Sequence, residues 1–281
     1  MSVVLRAGYA PPLARPRWLA RRLPLSTALL VLMVLSAVAA PWLAPYDPSQ
    51  QLDIVGLKNA PPSLAHPLGT DPYSRDLLSR LLHGGRVSLA VSGLATVVAT
   101  ILATAWGVMA ASSGSVVGGL LMDMADALRA IPRKLLLLAI MLVVPHPSVL
   151  MLALLLGAGS WTALAQVVYT EARAVRAREF VRAAEALGVP PRRVLVHHVA
   201  PQLTRVVGAA SATLLADLLA VEAGVSFLGL GVRPPTPSWG TILQDGVAYL
   251  GSAWWVAMAP ALLLVLTVLA VARLADRLTG P

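Results

Sequence analysis

Residues Glu179–Pro201 read EFVRAAEALGVPPRRVLVHHVAP. Phe180, Ala183, Ala184 and Leu187 recur at i, i+3, i+4 and i+7, so they share one face of a helix. Arg178, Arg182 and Glu185 fall on the other side. Gly188 suits the left-handed position that ends a helix, and Pro190-Pro191 turns the chain and opens a second one. The expectation is a helix-turn-helix with a small-residue face that allows close approach by a partner. On these residues alone, two amphipathic helices resting on a bilayer fit equally well.

The surroundings of this segment decide the fold class. Of 281 residues, 57% are hydrophobic and 12% charged, against about 25% charged in soluble domains. The mean hydropathy is +0.75. The apolar residues are Leu, Ala and Val in unbroken runs, which favours membrane helices over the alternating strands of a barrel. The expected fold is all-α, a polytopic membrane bundle. With no cysteine in the chain, disulfides and thiolate metal sites are excluded.

Charge gives the topology. The net charge is +9. Arg6, Arg15, Arg17, Arg21 and Arg22 precede the first apolar run, and Glu171–Arg205 holds seven arginines against three glutamates. These two regions account for the whole excess. Basic loops stay in the cytoplasm, and neither region carries the aromatic interleaving or motif of a nucleic-acid binder. The helix-turn-helix is therefore expected on the cytoplasmic side.

Working outward gives six spans with both termini inside. Residues 1–22 form a cytoplasmic tail. Residues 23–46 are uncharged and long enough to cross; their basic lead-in also fits a signal peptide, but the apolar part exceeds a signal core of about 7–15 residues. Residues 47–86 form an external loop. In it, Asp71-Pro72 reads as a helix start, Leu77, Leu78, Leu81 and Leu82 as an apolar stripe, and Gly84-Gly85 as the stop: a short amphipathic helix. Residues 87–275 form a five-span core that includes the loop 171–205, and residues 276–281 a cytoplasmic tail. The second span ends near Ala111. Residues 135–170 are uncharged with basic residues at both ends, which demands an even number of crossings. The third span is therefore expected to start near Asp126, with Pro145–Pro147 as its outer turn. The fifth covers Val206–Leu228 and the last Gly246–Ala272.

The opening segment resembles the coupling-helix signature of binding-protein-dependent ABC permeases: Glu-Ala-Ala, three residues, Gly, then Pro thirteen residues on. Arg182-Ala183-Ala184, Gly188 and Pro201 stand in those places. HPLGTDPYSRDLLSRLLHGGRVSL at His66–Leu89 and EAGVSFLGLGVRPPTPSWG at Glu222–Gly240 are similar to the dipeptide/oligopeptide/nickel branch of that family. The likeness runs from about Pro61 to the last span. Arg182 replaces the usual Glu, Ser74 a usual Gly, and Asp123, Gln166 and Tyr169 stand where Arg is common.

The resemblance implies the type I importer permease fold, a homologous permease partner, two cytoplasmic ATPase subunits and an extracytoplasmic solute-binding protein, in a prokaryotic inner membrane. It implies ATPase coupling through Phe180, Arg182, Ala183, Ala184, Leu187, Gly188, His198 and Pro201. The chain has no G-x-x-x-x-G-K-[ST] loop; neither Lys58 nor Lys134 follows a glycine. Hydrolysis, and any catalytic residue, is thus expected on a partner. No cofactor is expected, and the scattered histidines have no metal-ligand spacing. Asp217, Glu222 and Ser226 are the candidate path residues, because intramembrane carboxylates face a cavity or a partner; a helix–helix polar lock is the alternative for Asp217 and Glu222. The cargo is read as di- or oligopeptides, with nickel or another small solute as the alternative. A carrier or scaffold that works without ATPases is the reading from a different class.

Overall fold

The computed structural model describes residues 25–143 and 147–279. The expected N-terminal tail, the start of the first span and most of the Pro145–Pro147 turn lie outside them. The described chain is a membrane bundle of helices. After α1 (Leu25–Val38) and the short α2 (Ala40–Leu43) comes a loop, then α3 (Leu77–Ser112), α4 (Ser115–Ala130) and α5 (Arg133–Val143). Next are α6 (Val149–Ala158), α7 (Trp161–Arg176), α8 (Glu179–Ala186) and α9 (Pro191–Val194). A π turn, Leu195–Val199, leads into α10 (Ala200–Phe227), followed by α11 (Trp239–Val247) and α12 (Trp254–Thr279).

Among the described residues, three helices are long and apolar enough to cross a membrane: Leu77–Ser112, Pro191–Phe227 and Trp254–Leu278. The pair α6–α7, bent by 46°, makes a fourth candidate. The bundle is organised on α3 and α10. Helix α3 packs against α7, α6, α10, α1 and α4, and α10 against α12, α3, α11 and α7. Ala95, Ala99 and Ala103 are fully buried along α3. Small side chains let membrane helices approach closely enough for dispersion to replace the absent hydrophobic drive.

The structure corrects five sequence expectations. Gly84-Gly85 does not end a short helix, because α3 runs through it to Ser112. A Cβ on Gly84 would come within 3.2 Å of the Ser238 backbone, and one on Gly85 within 2.9 Å of the Trp239 indole. The glycines admit the start of α11 rather than a turn. The helix cap is Asp76, whose carboxylate accepts from Ser79 N, and not Asp71.

The third segment does not start near Asp126. It begins at Ser115 and breaks at Ile131-Pro132. Proline forces the preceding residue out of the helical region, and Ile131 has φ −75° and ψ 123°. The second helix of the helix-turn-helix is not separate either; it is continuous with the span to Phe227. Finally, Gly246 belongs to α11, and the last span starts at Trp254.

Candidate functional site

Helix α8 is held out from the bundle by local chemistry. It ends in a Schellman closure: Val189 N donates to Ala184 O at 3.1 Å and Gly188 N to Glu185 O at 3.0 Å. Gly188 has φ +77°, which other residues rarely adopt. Pro191 then opens α9 at a position whose N–H has no helical partner to lose. Further on, Pro201 has no N–H for the carbonyl four residues back. The π turn immediately before it widens the helix, and Ala200 N donates to Leu195 O. The bulge absorbs the proline without ending the helix.

The predicted stripe divides in two. Val181 is fully buried and Ala184 buried, in a cluster with Val175, Val194, Val199 and Leu203. Phe180 is 44% exposed and Leu187 85% exposed, and Ala183 lies between them, also exposed. The outward face is therefore Phe180, Ala183 and Leu187 at i, i+3, i+7, while Ala184 serves packing. Arg182, Gly188 and Pro201 are exposed. His198 stacks on Phe180 with ring centroids 6.5 Å apart, joining the two arms of the turn.

Arg176, which the sequence reading passed over, ties this hairpin to the bundle. Its Nη1 donates to Ala111 O at 3.0 Å, on the last turn of α3, and its Nη2 to Glu185 Oε1 of α8 at 3.1 Å. The sequence signal was a basic residue in the last turn of α7, ordinary for any helix. Its reach across two other helices has no sequence signature.

A second feature lies in the second half of α10. Asp217 is ten residues, or ~15 Å, before the end of the helix at Phe227. Its carboxylate pairs with the Arg133 guanidinium at the start of α5. The side chains are 44% and 27% exposed. Beside Asp217, between α5 and α10, is an apolar cavity of about 230 Å³ lined by residues including Leu137, Leu138, Ala220 and Gly224. Thr213, Ala220, Gly224 and Leu228 are exposed on the same face of α10.

Glu222 and Ser226 are elsewhere. Five residues from Asp217 is a rotation of about 140° around a helix. Glu222 is fully buried and accepts from Ser226 Oγ at 2.8 Å. The Ser88 and Ser238 hydroxyls approach it, and Ser226 Oγ also accepts from Val232 N at 3.1 Å. The three candidate path residues thus separate: Asp217 looks out of the subunit, while Glu222 and Ser226 join α3, α10 and the approach to α11 from within.

The third polar group was not anticipated. Asp71 binds Arg75 Nε at 2.7 Å and also pairs with Arg80. Asp245 of α11 takes Arg75 Nη2 at 2.9 Å and Arg80 Nη1 at 3.0 Å. His66 Nδ1 lies 2.9 Å from Asp76 Oδ1. Asp71 and Asp76 are fully buried and Arg80 nearly so. This lattice fastens the 47–76 loop to α3 and α11. Among the described residues no group of three or more His, Asp or Glu side chains is placed to hold a metal ion.

Residues 103–280 match the family described as binding-protein-dependent transport system inner membrane component. Residues 25–62 match the N-terminal TM domain of oligopeptide transport permease C. The chain is 34% identical over 255 residues to the di/tripeptide transport system permease protein DppC of Pseudomonas aeruginosa, covering 89% of this chain and 83% of that one. It is 35% identical over 245 residues to the oligopeptide transport system permease protein OppC of Mycobacterium tuberculosis, covering 86% and 82%. With OppC of Haemophilus influenzae the identity is 29% over 244 residues, covering 86% and 78%. The geometry of a small exposed helix-turn-helix on a polytopic bundle and these matches agree: the chain belongs to the family of binding-protein-dependent transport system inner membrane components.

Proposed function

We propose that this chain is the permease subunit of an ATP-driven peptide importer, working with a homologous permease, two cytoplasmic ATPase subunits and an extracytoplasmic binding protein. The observation that carries the reading is the outward face of α8. An apolar triad of Phe180, Ala183 and Leu187 on a hairpin ringed by arginine stays exposed among the described residues, with His198 stacked on part of Phe180, and Arg176 ties the hairpin to the end of α3. A push on α8 passes through that guanidinium to the central helix of the bundle. ATP is bound and hydrolysed on the partners, and the permease converts the push into an alternating opening. The cargo is read from the relatives, whose names specify di/tripeptides and oligopeptides.

In this reading six spans cross the inner membrane of a prokaryote: α1, α3, the broken pair α4–α5, the bent pair α6–α7, α10 and α12. Both termini and α8 are cytoplasmic. The exposed stripe of α10, with Asp217 in its middle, faces the second permease and the path between the two. A carboxylate turned to lipid at this depth costs several kcal/mol, whereas one turned to a water-filled path does not. Asp123, Asp126 and Arg129, exposed on α4, belong to the same wet side.

The test is co-purification and uptake with Leu187→Arg. A central apolar anchor is worth ~2 kcal/mol or more at an interface, or about 30-fold in affinity. The variant should lose the ATPase subunits while the two permeases stay together, and ATP-dependent accumulation of labelled dipeptide should stop. Retention of both the ATPases and uptake would remove α8 as the docking element.

A further inference from the structure

The Arg133–Asp217 pair has the chemistry of a site that exchanges partners. In the six-span reading above it lies near mid-membrane depth, on the exposed face of α10, just after the Ile131-Pro132 break that precedes α5. Unlike a buried lock, both side chains keep open surface. A pair this open holds by only a modest margin. A ligand that brings a counter-charge for each side chain can therefore take its place.

We propose that Arg133 and Asp217 form a cargo subsite for a zwitterionic dipeptide, a proposal that rests on the peptide-importer reading above. The peptide ammonium takes Asp217, and its carboxylate takes Arg133. The pair opens around the cargo and closes behind it, and each charge holds a partner throughout. The adjoining cavity of about 230 Å³ is smaller than the ~300–1,000 Å³ pockets that enclose drug-sized ligands. It is the size of one side chain. Leu137, Leu138 and Ala220 make it apolar, and Gly224 and Leu228 extend it along α10. It receives the side chain next to the ammonium. A divalent metal ion does not fit this scheme: it would take Asp217, leave Arg133 bare and repel it.

The experiment uses the full complex in proteoliposomes, with the binding protein supplied, and reads molecules of labelled dipeptide taken up per ATP hydrolysed. Normalising to ATP separates cargo handling from delivery and docking. Asp217→Asn and Arg133→Gln should each lower that ratio about tenfold, and Asp217→Glu should recover at least half of it. The double variant Arg133→Asp with Asp217→Arg rebuilds an ion pair but presents the wrong charge to each end of the peptide, so it should stay low. Recovery of the wild-type ratio by the charge swap would make the pair a structural lock and overturn the proposal. So would a wild-type ratio in either single neutral variant. If the wild-type complex takes up no dipeptide at all, the importer reading falls and the proposal with it; uptake by wild type with unaffected variants removes the subsite alone. Should Asp217→Asn fail to assemble, as judged by size-exclusion chromatography, Arg133→Gln carries the same test.

Discussion

Two groups of arginine and aspartate in this subunit have the same ingredients and opposite surroundings. In the outer lattice, Asp71, Arg75, Arg80 and Asp245 are multiply bonded and almost entirely covered. Between α5 and α10, Arg133 and Asp217 form a single pair with both side chains partly open. A buried, cross-linked set of charges holds elements in register, because removing one partner strands the others. An open pair holds little and is free to be replaced. The difference separates the part of the molecule that must not move from the part that must.

The largest expected effect comes from breaking the outer lattice. Asp71→Asn leaves two buried guanidiniums to share Asp245, and stranding a buried charge costs ~3–5 kcal/mol. The yield of folded complex and its melting temperature in detergent should fall sharply; a melting curve like that of wild type would mean that the lattice does not hold the outer loop to α3 and α11.

The next effect is on the hairpin. Gly188→Ala puts a side chain at φ +77° and should cost ~1 kcal/mol, seen as a weakened association with the ATPases rather than a drop in global melting. Global melting that falls as far as in Asp71→Asn would contradict the view of α8 as a locally closed unit.

At the open pair, Asp217→Asn should change stability by no more than ~1 kcal/mol, the range of partly exposed ion pairs, although its uptake is strongly affected. A destabilisation equal to that of Asp71→Asn would erase the contrast between the two groups. The smallest effect on stability belongs to Arg176→Gln, about 0.5 kcal/mol from an open ion pair. Its signature is functional: ATP hydrolysis continues with less uptake per ATP, since the link from α8 to Ala111 is gone. Full coupling in that variant would move the relay elsewhere.

These contrasts also show what a sequence can carry. The Gly188 closure and the Pro191 start were legible because backbone chemistry is local: a left-handed residue and a missing N–H each mean one thing at a helix boundary. Gly84-Gly85 was misread because glycine has two uses, ending a helix and admitting a neighbour, and the neighbour here, Trp239, is more than 150 residues away. The break at Pro132 was hidden by reading Arg129, Arg133 and Lys134 as a cytoplasmic border; Arg133 instead reaches Asp217. Asp217 and Glu222 looked alike in the sequence as carboxylates in an apolar run. Their angular separation around α10 became meaningful only once α3 and the start of α11 were seen to cover one side. Within α8, the same kind of side assignment decided that Ala184 packs inward while Ala183 faces out.

The claim on which the account turns is that the exposed stripe of α10 lines a water-accessible path. The chain has no cysteine, so one introduced thiol reports on one position. In the assembled complex, Ala220→Cys should react with a membrane-impermeant charged thiol reagent, at a rate that changes when the ATPases are trapped with a nonhydrolysable nucleotide. Leu35→Cys, on the exposed side of α1, should stay inert in both states. An Ala220→Cys thiol as unreactive as Leu35→Cys in every state would place the stripe against lipid or a dry interface, and would contradict the account.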